Sequence, residues 1–316
     1  MVNPATADPK TPAPTGSPGA SWLQGALVSA VFWLIGTLPM PWLHRLGRWA
    51  GRRRGGRTRR IVETNLQLCF PALDTPERTR LVDLSLAEAG ASMLEAFRIW
   101  TRPRHSLRLI REIRGAEILA EARAKGRGVL LLAPHLGAWE LLSLHLATLG
   151  PGGVLYRPPT SPAVEAAIVR ARGTLGMEQI RADRSAPRAL IRRFANGELV
   201  GILPDQQPKV GEGVFAPFFD VQALTMTLAP RLAQRVPAVF GWAERLPESA
   251  GFRLHFKRAP AALADPDPVI AAGAMNAAIE DWVREHPEQY VWTYKRFSRR
   301  PAGEPPRYGA DTRRQR

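Results

Sequence analysis

Residues 128–133 read Gly-Val-Leu-Leu-Leu-Ala, hold no polar side chain and stop at Pro134. A continuous apolar run this short reads as a β-strand covered on both faces. A helical period follows over residues 136–149, then an extended piece at 154–156. Ser161 and Pro162 open another helix, and Ser185 opens one that ends near Gly197. Residues 199–203, Leu-Val-Gly-Ile-Leu, repeat the apolar-run signature. Further strands are expected at 238–243 and at 252–256, the second with one-sided alternation. Helices are expected over 116–125, closed by Gly126, and over 271–285. Asp74, Pro76 and Glu77 mark a helix start, after which Leu86, Gly90, Met93, Phe97 and Trp100 recur on one face. Strands alternating with helices imply an α/β fold with a mixed central sheet flanked by helices. At 316 residues and 45 % hydrophobic, the chain has ample apolar mass for that core.

The amino-terminal segment obeys different rules. Residues 1–20 have no apolar period and read as a disordered tail. Between Thr11 and Leu43 there is no Asp, Glu, Lys or Arg, and residues 22–38 are mostly apolar. About 20 such residues are needed to cross a bilayer, so this segment is expected to span or to lie re-entrant in one leaflet. Arg45, Arg48, Arg52, Arg53, Arg54, Arg57, Arg59 and Arg60 follow, with no acidic residue among them. A signal peptide fits poorly against such a cluster. The positive-inside rule keeps it, and the rest of the chain, on the cytoplasmic side. The division expected is a tail (1–20), a membrane-anchoring helix with a basic segment (21–60), a catalytic body (61–300) and a flexible tail (301–316).

Four stretches carry chemistry-bearing residues. The first strand delivers His135 to the mouth of the sheet, where α/β proteins bind ligands. Glu140 follows about one helical turn in, which allows its carboxylate to hold one imidazole nitrogen while the other acts as a general base. An ordinary helix-start histidine is the alternative. Arg157, in Tyr156-Arg157-Pro158-Pro159, is either a clamp for phosphate and developing negative charge or an exposed loop arginine. Asp205 and Gln206 follow the second core strand, and Asp205 can position an arginine or a substrate hydroxyl. Phe215, Phe218 and Phe219 form an apolar wall that either packs on the core or meets acyl chains. Trp292, Lys295 and Arg296 lie in Tyr290–Phe297, which suits a headgroup contact or a buried terminal strand. A single cysteine, Cys69, excludes a disulfide framework and a thiolate metal cluster. The His-Glu-x-x-His pattern of zinc proteases is absent.

Taken in this order, the four stretches resemble the lipid A biosynthesis (late, secondary, lauroyl/myristoyl-type) acyltransferases of the lysophospholipid acyltransferase superfamily. His135 to Glu140 is similar to the family's His-x-x-x-x-acid motif. Tyr156-Arg157-Pro158, Leu203-Pro204-Asp205-Gln206 with Pro217-Phe218-Phe219, and Trp292 with Arg296-Phe297 resemble its later blocks. The chain departs from the pattern at Pro134, where the family commonly has Asn, and at Asp220, where Gly often follows the Phe pair. The resemblance spans residues 20–298 and implies a glycerol-3-phosphate-acyltransferase-like fold. It implies transfer of a fatty acyl chain from an acyl-carrier-protein thioester, or a coenzyme A thioester, to a hydroxyl of a lipid A precursor at the inner membrane. No other cofactor and no metal is implied. His135 would be the base, Glu140 its orienting acid, and Arg157, Asp205, Gln206, Trp292 and Arg296 would contact substrate.

The charge balance fits these expectations. The chain carries 44 Lys and Arg against 28 Asp and Glu, and both an acidic carrier protein and an anionic membrane lipid are complementary partners. An acyltransferase for another membrane lipid or glycolipid is the alternative within the resemblance, and two other classes compete: a membrane-bound acyl hydrolase using the same His–Glu pair on water, although the Gly-x-Ser-x-Gly elbow is absent, and a non-catalytic lipid- or nucleic-acid-binding protein built on the Arg cluster. Nucleic acid is not the expected partner, because the adjoining apolar run favours a membrane.

Overall fold

The computed structural model describes residues 30–159, 161–173, 177–183 and 185–309. The tail expected over 1–20 and the first part of the apolar segment, 22–29, lie outside the described residues.

The expected β–α–β frame is present. Strands β1 (Ile110–Arg114), β2 (Val129–Leu132), β3 (Gly152–Tyr156), β4 (Met177–Arg181), β5 (Leu199–Ile202), β8 (Ala238–Arg245) and β9 (Phe252–Arg258) form one sheet in the order β1-β9-β8-β2-β5-β3-β4. All pairs are parallel except β8 with β9, so the sheet is mixed. β6 (Gly213–Phe218) and β7 (Val221–Met226) form a separate antiparallel hairpin.

The helices are α1 (Met40–Arg52), α2 (Gly56–Cys69), α3 (Thr75–Thr101), α4 (Pro103–Leu107), α5 (Ala116–Ala124), α6 (Trp139–Ala147), α7 (Pro162–Arg172), α8 (Ala186–Ala195), α9 (Leu228–Ala233) and α10 (Pro268–Glu285). The alternation of β2 explains its lack of polar residues. Leu130 and Leu132 enter one core with Val82, Leu190, Trp282 and Phe218, while Val129 and Leu131 enter a second with Leu43, Ile99, Leu119 and Leu141. A strand with a core on each face has no solvent side to mark with polar residues.

Asp74 caps α3 as its sequence suggests: its side chain accepts from Glu77 N, and Glu77 returns the bond to Asp74 N. The expected helix at 136–149 begins only at Trp139. Gly137 has φ +62°, where a Cβ would collide with the Ala243 carbonyl, and residues 136–138 spend their backbone groups on Tyr290, Gln289 and Ala243. Residues 134–138 are therefore a loop stitched to its neighbours.

One open choice is decided and two expectations change. Of the two places open to the Phe wall, Phe218 and Phe219 take the core: they are buried at the tip of the β6–β7 hairpin, Phe219 packs on Phe70 and Trp292, and Phe215 is partly buried. Residues 301–309 are not a free tail. Tyr308 is buried, donates to Asn65 on α2 and accepts from Phe297 N (3.1 Å). Last, among the described residues no helix is long and apolar enough to cross a membrane. The described part of the apolar segment is helical over 30–37 and breaks before α1, where Arg98 binds the carbonyls of Gly36, Thr37 and Leu38.

Candidate active site

β2 and β5 run side by side with Leu132 opposite Ile202. Three residues beyond each of these paired ends stand His135 and Asp205, so sheet register alone brings them together. The His135 backbone N–H donates to Asp205 Oδ2 (2.9 Å), and Nδ1 lies 2.7 Å from Oδ1. Two bonds from one residue to one carboxylate fix both the position and the rotation of the imidazole. Asp205 is buried. Burial alone would raise its pKa, but the facing His135 and its hydrogen bonds hold the carboxyl below the usual range. An ionised Asp205 accepts the Nδ1 proton and leaves the lone pair on Nε2. There the Gln206 side-chain amide makes a 3.1 Å contact, which marks where a hydroxyl would dock.

Glu140 does not fill the role that its spacing from His135 suggested. Because α6 starts late, its carboxylate projects from the first turn toward α3 and α7. It accepts from Trp100 Nε1 (2.8 Å) and from Arg172 Nε (2.9 Å) and Nη2. The carboxylate that orients His135 is Asp205. Buried Glu140 and partly exposed Arg172 instead form an ion pair in the wall of the cleft, and the Arg172 guanidinium also lies over the Trp100 ring.

That cleft has a volume of about 690 Å³ and is bounded by the carboxyl ends of β3 and β5, α6, α7 and the start of α9. His135 opens into it, with the Trp139 ring edge-on at 5.4 Å. Trp139, Val154, Ile202, Leu203, Met226 and Leu228 supply an apolar lining. Arg157, Lys209 and Arg231 are exposed at its rim, and no carboxylate among the described residues pairs with them. Arg157 makes a single long bond (3.4 Å) to the Gln207 carbonyl. A cavity of this size, apolar with a few convergent polar groups, is what small-molecule sites look like.

Trp292 and Arg296 are placed behind the histidine rather than in the cleft. Both are buried. Trp292 Nε1 donates to the Pro287 carbonyl (2.7 Å), and Arg296 donates to the Leu224 carbonyl (2.6 Å) and Thr225 Oγ1 (2.9 Å). They line a cavity of about 10 Å³ with His135, Asp205, Gln206 and Tyr290, room for a single water. The indole N–H and both terminal guanidinium nitrogens are thus held in the floor of the site, while Arg296 Nε has no hydrogen-bond partner among the described residues. The Tyr290–Phe297 stretch is not a strand. It is an irregular segment, with Tyr290, Trp292, Arg296 and Phe297 buried and the rest partly so, in which Val291 N donates to the His135 carbonyl (3.0 Å).

The sequence marks neither Arg172 nor Arg245 as a site residue, and it marks Trp100 only as part of a helix face and Tyr290 only as the start of the fourth stretch. Buried Arg245 donates to the Gly137 carbonyl (2.9 Å) and to Glu95, which is also bonded to His44 on α1. Nothing local in the sequence announces these partners, because each reaches the site across tens of residues. Tyr290 is pushed well above a free phenol by burial and by the Asp205 charge, so it stays protonated beside the dyad.

Comparison with known proteins agrees with the motif order. A family model described as bacterial lipid A biosynthesis acyltransferase matches residues 17–299. The chain is 31 % identical over 287 residues to an Escherichia coli (strain K12) lipid A biosynthesis lauroyltransferase, covering 88 % of this chain and 92 % of that protein. It is 30 % identical to the palmitoleoyltransferase of the same organism (87 % and 90 % covered) and 27 % identical to its myristoyltransferase (90 % and 88 %). The chain belongs to the bacterial lipid A biosynthesis acyltransferase family and is, by that membership, an acyltransferase.

Proposed function

We propose that this protein moves a fatty acyl chain from an acyl-carrier-protein thioester, with the coenzyme A thioester as an alternative donor, to a hydroxyl of a lipid A precursor at the cytoplasmic face of the inner membrane. The observation that carries the reading is the His135–Asp205 pair opening into the 690 Å³ cleft beside cations that no carboxylate among the described residues pairs with. Asp205 keeps Nδ1 protonated, so Nε2 takes the acceptor's proton as its oxygen attacks the thioester carbonyl. The tetrahedral oxyanion collapses, the C–S bond breaks, and the imidazolium returns the proton to the leaving thiolate. No covalent acyl-enzyme is needed. Arg157 is the side chain best placed to meet the oxyanion or an acceptor phosphate, and the apolar lining suits an acyl chain.

The test is to incubate pure protein with labelled acyl-carrier-protein thioester, with and without lipid A precursor. Label should move to the glycolipid only when both are present, and His135→Ala should slow that transfer by about 10²–10⁴-fold. Acyl release that ignores the acceptor would instead establish a hydrolase.

A further inference from the structure

We infer that α1 is an in-plane membrane-docking helix, which rests on an anionic bilayer surface without entering a transmembrane path. Its outward residues recur at helical spacing: Trp42, Arg45, Leu46, Trp49 and Arg53. Trp42 is 67 % exposed, Leu46 48 % and Trp49 54 %, and the preceding helical stretch, 30–37, adds Leu34 at 65 %. Isolated exposed apolar residues are ordinary, but an aligned strip of this kind is not. Arginines flank it. Arg45, Arg52, Arg53 and Arg60 have no carboxylate partner among the described residues, and the Arg53 guanidinium lies over the Trp49 ring at 4.2 Å. Aromatic and aliphatic residues on one face with arginines beside them is the composition of interfacial helices.

The opposite face rules out spanning by this helix. At 13 residues it is about 20 Å long, short of the roughly 30 Å hydrocarbon layer. It is also joined to the body. A Cβ on Gly47 would press into the Gly90 backbone, and one on Gly51 into the Leu86 carbonyl, so the two helix backbones are in contact. Buried His44 bonds Glu95 (2.8 Å), and Arg48 pairs with Glu88 (2.7 Å). Drawing α1 into lipid would pull His44 and Arg48 away from Glu95 and Glu88 and bury them without those partners.

A second copy of the chain is a poorer occupant. No Asp or Glu occurs between residues 9 and 62, so an isologous contact would stack arginine on arginine. Anionic headgroups supply the missing charge. The helical stretch before α1 reaches the cleft wall: Phe32 packs on Phe97 (4.6 Å) and Trp100 (5.6 Å), and Trp100 bonds Glu140.

The inference does not depend on acyl transfer, and its experiment uses no acyl substrate. The full chain is mixed with phosphatidylcholine vesicles containing a third phosphatidylglycerol, and with pure phosphatidylcholine vesicles. Arg45→Gln/Arg52→Gln/Arg53→Gln should weaken partition to the anionic vesicles by on the order of 10²-fold and change the neutral ones little. Trp42→Ser/Leu46→Ser/Trp49→Ser should weaken both by about tenfold or more. Because residues 1–29 could bind vesicles unaided, depth decides. Nitroxides are attached singly at W42C, L46C and W49C; Cys69 is buried and its thiol is pushed up by burial, so it stays unlabelled. All three labels should report the same shallow depth. Labels that stay in water on vesicle-bound protein, or depths that increase steadily along the helix, would overturn the proposal. So would a lipid-free dimer that the apolar triple variant abolishes.

Discussion

Two carboxylates stand within reach of the chemistry, and their partners separate their roles. Asp205 binds His135 through backbone and ring, with Tyr290 beside it, whereas Glu140 binds Arg172 and Trp100. Asp205→Asn should lower kcat by roughly 10²-fold or more with little change in KM, since the imidazole loses the charge that stabilises its protonated form. Glu140→Gln should act on the cleft wall. It leaves partly exposed Arg172 without a counter-charge, costing about 1–3 kcal/mol of stability after allowance for solvent, and should raise KM more than it lowers kcat. Steady-state kinetics with thermal melts checks both. A Glu140→Gln enzyme that melts normally but does not turn over, beside a near-normal Asp205→Asn, would return the orienting role to Glu140. The sequence shows His135 and Asp205 plainly, because each follows an apolar strand. It does not show which acid faces the ring. That depends on where α6 starts, and Gly137, bound to Ala243 a hundred residues away, sets that start.

At the scale of elements, legibility follows burial pattern. β2, β5 and β9 are readable because their residues are apolar throughout or alternate strictly. β1 (Ile-Arg-Glu-Ile-Arg) and β4 (Met-Glu-Gln-Ile-Arg) are edge strands whose polar residues face solvent, so they carry too few apolar positions to stand out. The β6–β7 hairpin is hidden for another reason. Its turn residues, Phe219 and Asp220, both take positive φ (51° and 60°) without a glycine, so the usual hairpin signal is missing. Phe219 tolerates this because its N–H donates to Glu280 Oε1 (2.8 Å) and its ring is covered by Arg284. Asp220 is exposed and has no such compensation. Asp220→Gly should therefore stabilise the protein by up to about 1 kcal/mol, seen as a higher urea midpoint with an unchanged m-value. A lower midpoint would mean that Asp220 makes an interaction outweighing its backbone strain.

Across the whole molecule, the excess of positive charge is divided between an outer surface and an interior that is strongly paired. Glu95 and Asp205 are buried in different parts of the body, the first under α1 and the second under His135. Burial alone would raise both pKa values, but Arg245 and His44 around Glu95, and His135 beside Asp205, hold both carboxyls below their free values of 4.5 and 3.8. The sign of the pH effect follows. Between the folded and unfolded pKa the unfolded chain binds more protons, so stability rises with pH there. Both contributions are complete above about pH 4.5 and are lost as pH falls through the lowered folded values. Urea midpoints should hardly change in the neutral range on this account and should drop steeply in acid. Glu95→Gln supplies the control, since it removes one of the two titrating groups while keeping its shape. Its stability deficit relative to the parent should be largest near neutral pH and shrink as the parent's own Glu95 becomes protonated. A deficit that stays constant from neutral pH into acid would show that Glu95 contributes through packing and hydrogen-bond geometry, with its charge irrelevant.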